Sequence, residues 1–530
     1  MNMPCRPARP RCIDETGRSQ TLAQGAEAFF CLHAAQNKNI LLLGLGPDPA
    51  AAVALFADAQ TVQWIESPGF RTVLDALHPH WRSALPPHWQ ELSPQEAAAS
   101  HAARASVWLY RQNPRLFPSF WGPLLGAVQA RLLGGTAAPP TRAVWLPGDD
   151  GSLLHRELAQ AFAHTGLHVR TLPPTASRPQ RPCDHAAPVD AAGGDPAQTS
   201  LSRLLREERP ALYFSVNLRG LDAEGRIFAL LRACGVPVVV WFVDNPWHIL
   251  SSLRLPWWKA ATLLVTDDSF LPALHAAGAE SVRHLPLACC PAMTAATASS
   301  LPSTTGRIAF VGRAAFPARD TFFAAAHVPS AILDEGSRLL EANGRPDFHW
   351  WTRRLGVGLW PGHQVRHAGL GAEICAAAQR TRWLRAALPC GLDIYGDSAA
   401  WQERLPELPS RRLHEAVDYY TVLPSIYAAA PYTLNVTSLL LPSGLTQRHF
   451  DVWAAGGFLL SDPTPGLHIF PAELVREMTA ASPSALPAMV DRLEREPLLR
   501  QHIREAWRQC LHAAHTYAHR TSAVAHWLNM

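Results

Sequence analysis

A stretch near the C-terminus carries charged side chains in a setting that could bind an anion. The sequence SGLTQRHFDVWAAGGFLLSD (443–462) predicts a helix that starts at Gly444 and is followed by a short buried strand. Arg448 and Asp451 share one face of that helix. A helix start offers free N–H groups and partial positive charge. We therefore expect Gly444 and Arg448 to meet a phosphate, and Asp451 to accept hydrogen bonds from sugar hydroxyls.

The spacing of Arg448 and Asp451 is also that of a surface ion pair. An i, i+3 pair on an exposed helix face contributes only about a few tenths of a kcal/mol. The pattern alone leaves both interpretations open, so the surrounding elements must decide between them.

A second candidate is Asp244, which ends the apolar run VVVWFVD (238–244). Ligands of open parallel sheets bind beyond the carboxyl ends of the strands. Asp244 is therefore placed to act as a general base or to bind an acceptor hydroxyl. The alternative is a turn or helix cap, which the sequence Asp-Asn-Pro commonly forms.

Two more loops follow predicted strands. Tyr395 and Gly396 end the strand GLDIYG, where a base or ribose could rest. Gly148 and Gly151 flank the turn between AVWLP and the next helix, so that backbone could line a site or simply form a tight turn.

The sequence LLLGLGPDP near the N-terminus resembles part of a dinucleotide fingerprint. Gly44 and Gly46 follow a strand, and Glu66 ends the next strand, where such an acid would bind ribose hydroxyls. Pro49 occupies the position expected for the third glycine. Without the third glycine, the fingerprint is incomplete, and the motif alone does not establish a nucleotide site.

The elements that must position these residues alternate between strands and helices. Apolar strands followed by amphipathic helices predict parallel sheets covered by helices on both faces. We place an α/β domain at 1–136, a second at 140–290 and a third at 306–530. Pro-, Ala- and Ser-rich segments predict a surface loop at 173–200 and a linker at 294–306.

Composition excludes several classes of function. The chain has 530 residues, enough for about three domains. A net charge of +4 over this length gives no indication of nucleic-acid binding. The ten cysteines show no CxxC spacing, and we predict neither a metal site nor a disulfide framework. No secretory signal or membrane-spanning run is present in the sequence, so we expect a cytoplasmic protein with at most peripheral membrane contact.

The third block resembles a known family. The sequences LPSIYAAAPYTLNVTS, GLTQRHFDVWAAGGFLLSDPTPGLHIF and HTYAHRTSAVAHWL are similar, in order and spacing, to the motifs of CgeB-like glycosyltransferases of the GT-B clan. WFVDNPW in the second block resembles that family's Trp-Phe-x-Asp-x-Pro segment. The resemblance implies two Rossmann-like domains facing a cleft, with an N-terminal α/β accessory domain added.

The resemblance also implies roles for individual residues. The diphosphate of a nucleotide-sugar would meet Gly444 and Arg448, and Asp451 would replace a glutamate that holds the ribose or the sugar. The positions of Tyr395 and Gly396 after a strand suit contact with the nucleobase or the ribose. The sequence leaves open whether the sugar is transferred with retention or inversion, and in an inverting route Asp244 is the candidate catalytic base. Ser443 stands where the wider retaining clan often carries another glutamate.

The function expected from these features is transfer of a sugar from a nucleotide-diphospho-sugar to a glycan, lipid-linked or protein acceptor. The family generally needs no metal, and we expect no cofactor besides the donor. A non-catalytic sugar-nucleotide-binding or scaffold protein, or a nucleotide-sugar epimerase, remains as an alternative, because a fold does not guarantee a function.

Overall fold

A computed structural model describes residues 9–100, 104–133, 141–173, 196–294, 306–316 and 318–530. Most of the predicted loop at 173–200 and nearly all of the predicted linker at 294–306 lie outside these residues. The described part contains three large sheets, and each of them falls within one of the three predicted blocks.

The N-terminal sheet has the order β3-β7-β4-β5-β6, and β3 is its antiparallel edge. Apolar side chains from both faces of the sheet form two cores. Its strands are β3 (Phe29–His33), β4 (Asn39–Leu43), β5 (Thr61–Ile65), β6 (Gln90–Glu91) and β7 (Ser106–Tyr110), and the preceding strands β1 (Arg11–Ile13) and β2 (Ser19–Thr21) form a separate two-stranded antiparallel sheet. The helices are α1 (Pro49–Leu55), α2 (Pro68–Leu77), α3 (Pro94–Ala99), α4 (Asn113–Leu116) and α5 (Pro118–Leu132).

The second sheet has six strands in the order β13-β12-β11-β10-β8-β9. Every residue of β8, β10 and β11 is buried, as expected for strands covered on both faces. The strands are β8 (Ala143–Pro147), β9 (His168–Leu172), β10 (Leu212–Val216), β11 (Val238–Phe242), β12 (Thr262–Val265) and β13 (Ser281–His284). The helices are α6 (His155–His164), α7 (Pro196–Glu207), α8 (Arg226–Ala233), α9 (Pro246–Leu250), α10 (Leu271–Ala276) and α11 (Pro291–Thr294).

The third sheet has the order β16-β15-β14-β17-β18, and all of its strands are parallel. The strands are β14 (Ile308–Val311), β15 (Leu392–Gly396), β16 (Leu413–Glu415), β17 (Tyr432–Asn435) and β18 (Leu459–Ser461). The helices are α12 (Arg319–Phe322), α13 (Ser330–Glu341), α14 (Phe348–Leu355), α15 (Val365–Ala387), α16 (Ser398–Arg404), α17 (Leu423–Ala429), α18 (Arg448–Ala454), α19 (Ala472–Met478), α20 (Leu486–Arg495), α21 (Pro497–Ala514) and α22 (Tyr517–Trp527). The predicted α/β class with parallel sheets is confirmed.

The chain divides into two compact units. One comprises 1–149, 168–239 and 253–262, and the other comprises 150–167, 240–252 and 263–530. The predicted boundaries near 136, 140, 290 and 306 stay a prediction.

Within the first unit, α5 packs closely against α8. A Cβ atom on Gly126 would lie only 2.8 Å from the carbonyl carbon and oxygen of Ala229, so the absence of a side chain at Gly126 permits this close approach.

Candidate functional site

The carboxyl ends of β14, β15 and β17 adjoin one another in the third sheet. The loop after β14 begins at Gly312, whose N–H donates to the carbonyl of Tyr395 (3.0 Å). A Cβ atom on Gly396 would lie 2.2 Å from the Gly312 carbonyl oxygen. The two segments are therefore in direct backbone contact at the carboxyl edge of the sheet.

The predicted helix start at Gly444 is wrong. Helix α18 begins at Arg448, and Gly444 lies in the preceding loop, where its N–H donates to the Leu441 carbonyl (3.2 Å). The loop is held by a distant side chain, since Ser443 donates its N–H to Asp267 (3.0 Å). Gly444 is therefore not on a shared helical face with Arg448, and its role toward a phosphate stays a prediction.

Arg448 lies at the carboxyl ends of β14 and β17. Its Nε donates to the side chain of Asn435 (2.8 Å) and its Nη1 to the carbonyl of Val311 (2.7 Å). Arg448 as a whole is half-buried, and burial lowers the pKa of its guanidinium from the usual value. Arginine nevertheless stays charged in proteins. Arg448 thus presents a fixed positive charge at the edge of the sheet.

Two further arginines belong to the same region, Arg380 through its charge interaction with Arg448 and Arg313 through its position in the loop after β14. Arg313 is exposed, and its carbonyl accepts a hydrogen bond from Nη1 of Arg380 (2.9 Å). Burial, together with the neighbouring charges of Arg448 and Arg404, lowers the pKa of Arg380. A pKa lowered in part by like charges marks a place where an anion would be favourable. The three arginines 313, 380 and 448 are hereafter the arginine cluster.

Acidic groups compensate only part of this charge. Glu373 lies 3.8 Å from Arg380 and also accepts the N–H of Phe316. Asp397 accepts the N–H of Ala314 (2.8 Å). Both carboxylates thus hold the loop after β14 in place beside the cluster.

Asp451 lies on α18 but points into the protein, where only 1% of it is exposed. Its Oδ1 accepts the N–H of Cys290 and the side-chain amide of Gln447, both at 2.9 Å, and its Oδ2 accepts the hydroxyl of Tyr419 (2.5 Å). Burial raises the pKa of Asp451 to about 7, although these hydrogen bonds oppose the rise. Contact with a sugar would require Asp451 to give up some of these partners, so its predicted role remains a prediction.

Tyr395 and Gly396 end β15, as predicted. The ring of Tyr395 is only 7% exposed and stacks on the ring of His414, with centroids 4.5 Å apart. His414 Nε2 lies 3.3 Å from Asp393, and 36% of the His414 side chain is exposed. The aromatic surface available to a ligand here is therefore His414, which the sequence analysis did not single out.

Asp462, at the end of β18, is the centre of a buried polar network. It accepts the N–H and the hydroxyl of Thr437 (2.8 and 2.6 Å), the side chain of Gln379 (3.0 Å) and the guanidinium of Arg345 (3.2 Å). This network fixes the chain that leaves β17.

Asp244 follows β11 and is exposed, whereas the residues on either side are buried. Its neighbour Asn245 caps α9 by accepting the N–H of Trp247 (3.0 Å), and Asn245 donates to the Leu440 carbonyl (2.9 Å). The turn predicted as an alternative for this segment is thus formed by Asn245. The exposed Asp244 carboxylate fits the requirement that a general base face solvent or substrate, and its catalytic role stays a prediction.

The glycine-flanked turn after β8 is present. Gly148 has a φ of 142°, and its N–H donates to the Leu172 carbonyl (2.9 Å). The predicted site at Gly151 stays a prediction.

Glu66 does not offer its carboxylate to a ribose. It is fully buried, with Oε2 accepting the N–H of Leu45 (2.9 Å) and Oε1 that of Ser67 (2.8 Å). Gly44 is packed against Asn113, whose side-chain nitrogen would lie 1.9 Å from an added Cβ atom. The motif therefore closes the turn after β4 rather than lining a nucleotide site.

Replacing Glu66 by glutamine should change the pH dependence of stability. Burial raises the pKa of Glu66 from 4.5 to about 7 in the folded protein. The protonated carboxyl therefore contributes stability that is fully present below pH 4.5, the pKa of the unfolded chain, and that is lost as the pH rises through about 7. Relative to Glu66→Gln, the wild type should lose stability between pH 5 and 8, as measured by urea denaturation.

Glu96→Gln gives the matched contrast. Hydrogen bonds from Ser93 lower the pKa of the exposed Glu96, so the wild type should gain stability over this variant as pH rises. If the free energies of unfolding of the wild type and Glu66→Gln changed in parallel with pH, the raised pKa of Glu66 would be contradicted.

The described residues also bear on membranes and metals. In that part of the chain, no helix combines the length and the apolar character needed to cross a bilayer. The same residues contain no group of three or more His, Cys, Asp or Glu side chains arranged to hold a metal ion.

Comparison with known proteins identifies one matching family model and several similar structures. Residues 376–526 match the family model described as Glycosyl transferase-like, and no curated protein matches the chain. Anabaena Alr3699/HepE, solved with UDP, has a TM-score of 0.44 and 11% identity over 73% of this chain and 99% of that chain. A glycosyltransferase from Rickettsia africae has a TM-score of 0.42 and 8% identity, over 73% of this chain and 98% of that chain. T4 phage BGT with UDP-glucose has a TM-score of 0.38 and 10% identity, over 74% of this chain and 100% of that chain.

Proposed function

We propose that this protein is a GT-B glycosyltransferase of the CgeB-like branch, which transfers a sugar from a nucleotide-diphospho-sugar. The observation that carries the proposal is the arginine cluster at the carboxyl ends of β14 and β17. Two of its members, Arg380 and Arg448, lie within the residues that match the glycosyltransferase-like family model.

The chemistry of sugar transfer requires positive charge at this place. Cleavage of the bond to the donor leaves a negatively charged nucleoside diphosphate, and fixed cationic groups stabilise that charge in the transition state. Arg448 is already oriented by Asn435 and Val311, so it needs little reorganisation during the reaction. Arg313 is exposed in the loop after β14, and we assign its side chain to the same anion.

The nucleobase of the donor would lie against the exposed part of the His414 ring, which stacks on Tyr395. An imidazole ring held by Asp393 offers a flat surface for stacking. The acceptor would be a glycan, a lipid-linked glycan or a protein. Asp244 would be the base that takes the proton from the acceptor hydroxyl. We also propose that no metal or further cofactor is needed, because the arginines would neutralise the diphosphate.

Incubation of the protein with labelled UDP- and GDP-sugars tests the proposal. We expect transfer to an added acceptor, or slow donor hydrolysis, at the same rate with and without EDTA. Binding without turnover would favour the non-catalytic sugar-nucleotide-binding alternative, and interconversion of the free donor would favour an epimerase. A rate that EDTA abolishes and Mg²⁺ restores would contradict metal independence.

Replacing Asp244 by asparagine should lower the transfer rate about 100-fold or more, a typical contribution of a general base. Donor affinity should stay the same, because the donor contacts are assigned to the third sheet. The measurements are kcat for transfer and the Kd of the nucleoside diphosphate by calorimetry. A matched control is Asp268→Asn, which removes a partly exposed carboxylate that follows β12. Equal losses of rate and affinity in Asp244→Asn would indicate a structural role.

A further inference from the structure

Asn435, the last residue of β17, holds the arginine on which the proposed donor site depends. It is fully buried. Its Oδ1 accepts hydrogen bonds from Arg448 Nε (2.8 Å) and from the Thr446 hydroxyl (2.9 Å). Its Nδ2 faces Ser461 Oγ (3.2 Å) and His449 Nε2 (3.4 Å). The amide is thus fixed from both ends, and it can hold Nε of Arg448 in only one direction.

Apart from Arg448, the partners of Asn435 carry no charge. His449 is fully buried, and burial together with the neighbouring Arg448 lowers its pKa to about 3, so its ring is neutral at physiological pH. The other partners are hydroxyls and amides, and Nη1 of Arg448 is bound by the carbonyl of Val311. The guanidinium is therefore oriented by neutral acceptors.

The nearby carboxylates are occupied by other groups. Asp462 is bound by Arg345, Thr437 and Gln379, and Asp451 by Tyr419, Gln447 and the N–H of Cys290. Within the described ranges, no carboxylate forms an ion pair with Arg448, and its hydrogen bonds there use Nε and Nη1. The charge of Arg448 is thus fixed in place without a directly paired carboxylate, although Asp462 and Asp451 act on it at longer range, and Nη2 remains for an anion.

We infer that Asn435 is a positioning residue that orients Arg448 without neutralising it, so that the diphosphate of the donor becomes the counter-ion of Arg448. This inference rests on the proposed function. A carboxylate at the same position would make the same hydrogen bond but would cancel the charge. The neutrality of Asn435 would thereby determine how strongly the site favours an anion over a neutral ligand.

Asn435→Asp tests the inference because it changes charge with almost no change in shape. We expect the affinity for UDP or GDP to fall about 10- to 100-fold, the range for losing one charged hydrogen-bond partner. The affinity for the matching nucleoside, uridine or guanosine, should stay within about twofold, because it has no phosphate. Both are measured by calorimetry on the full chain at constant salt.

Thr446→Val is the matched control. It removes a hydroxyl that donates to the same Oδ1 atom, but it introduces no charge. It should leave the affinity for UDP and GDP within about twofold of the wild type. Weakening equal to that of Asn435→Asp would show a general disturbance of the network and would overturn the inference.

The failure of the inference can be told apart from failure of the proposed function. If the wild type binds neither UDP nor GDP, the proposed function falls, and the inference falls with it. If the wild type binds and Asn435→Asp binds equally well, only the inference falls.

Two further variants complete the test. In the Arg448→Gln background, Asn435→Asp should cause a smaller further loss of affinity than in the wild type, because no Arg448 charge remains to be cancelled, and an undiminished loss would overturn the inference. Should the buried aspartate prevent folding, Asn435→Ser, which is neutral but too short to hold Nε, should weaken nucleoside diphosphate binding and leave nucleoside binding unchanged. Equal binding of the diphosphate by Asn435→Ser would overturn the inference.

Discussion

Replacing Arg448 by alanine should weaken the binding of UDP or GDP about 10- to 100-fold, since a hydrogen bond to a charged group contributes about 1.5–3 kcal/mol. The variant also loses the hydrogen bonds to Asn435 and Val311, so we expect the free energy of unfolding to fall by about 1–2 kcal/mol. Calorimetry with the nucleoside diphosphate measures the first effect, and chemical denaturation measures the second.

Two variants separate charge from geometry at this position. Arg448→Lys keeps a positive charge but cannot make two hydrogen bonds in fixed directions, so its affinity should lie between those of wild type and alanine. Arg508→Ala removes an exposed arginine of α21 that pairs with Glu505 (3.2 Å), and it should bind the nucleotide normally. Wild-type affinity in Arg448→Ala would contradict the assignment of Arg448 to the diphosphate.

Replacing Asp462 by alanine should lower the free energy of unfolding by about 3–5 kcal/mol, the usual cost of breaking a buried ion pair. The change leaves the Arg345 guanidinium without its acidic partner and removes the acceptor for the Thr437 N–H, in a place where only 1% of Asp462 is exposed. The shift of the urea midpoint, followed by tryptophan fluorescence, measures the loss.

Asp491→Ala provides the control for this prediction. The Asp491 side chain is 63% exposed and lies 3.9 Å from Arg307, so its removal should change the free energy of unfolding by less than about 0.5 kcal/mol. Asp462→Asn keeps the shape of the side chain, and its loss in free energy of unfolding should lie between those of Asp462→Ala and Asp491→Ala. A loss below about 1 kcal/mol in Asp462→Ala would show that the network contributes little.

The strands are the part of the fold that the sequence predicts best. The runs NILLL, VVVWF and YTLN form β4, β11 and β17, because buried strands of parallel sheets need apolar side chains on both faces. The break at Asn245-Pro246 was also predictable from local chemistry, since proline fixes the first turn of α9 and asparagine caps it. These features depend on neighbours within a few residues.

The site was harder to predict because its contacts join distant parts of the chain. Asp451 is bound by Tyr419 and by the N–H of Cys290, which lies 161 residues away, so nothing near Asp451 in sequence indicates its burial. The loop before α18 is fixed by Asp267, 176 residues from Ser443. Spacing on an ideal helix cannot reveal such contacts. Arg313 could have been predicted as a site residue from the sequence, because it directly follows the glycine after β14 in RIAFVGR.

The close backbone approach between α5 and α8 limits how this chain can be recombined with other proteins. Residue 126 fits against the backbone of Ala229 only because it is a glycine and places no Cβ atom between the two helices. A chimera that joins the N-terminal α/β region to a different partner would need a matching shallow surface on that partner, and a chain shortened to begin at 141 would expose the face of α8 that α5 covers.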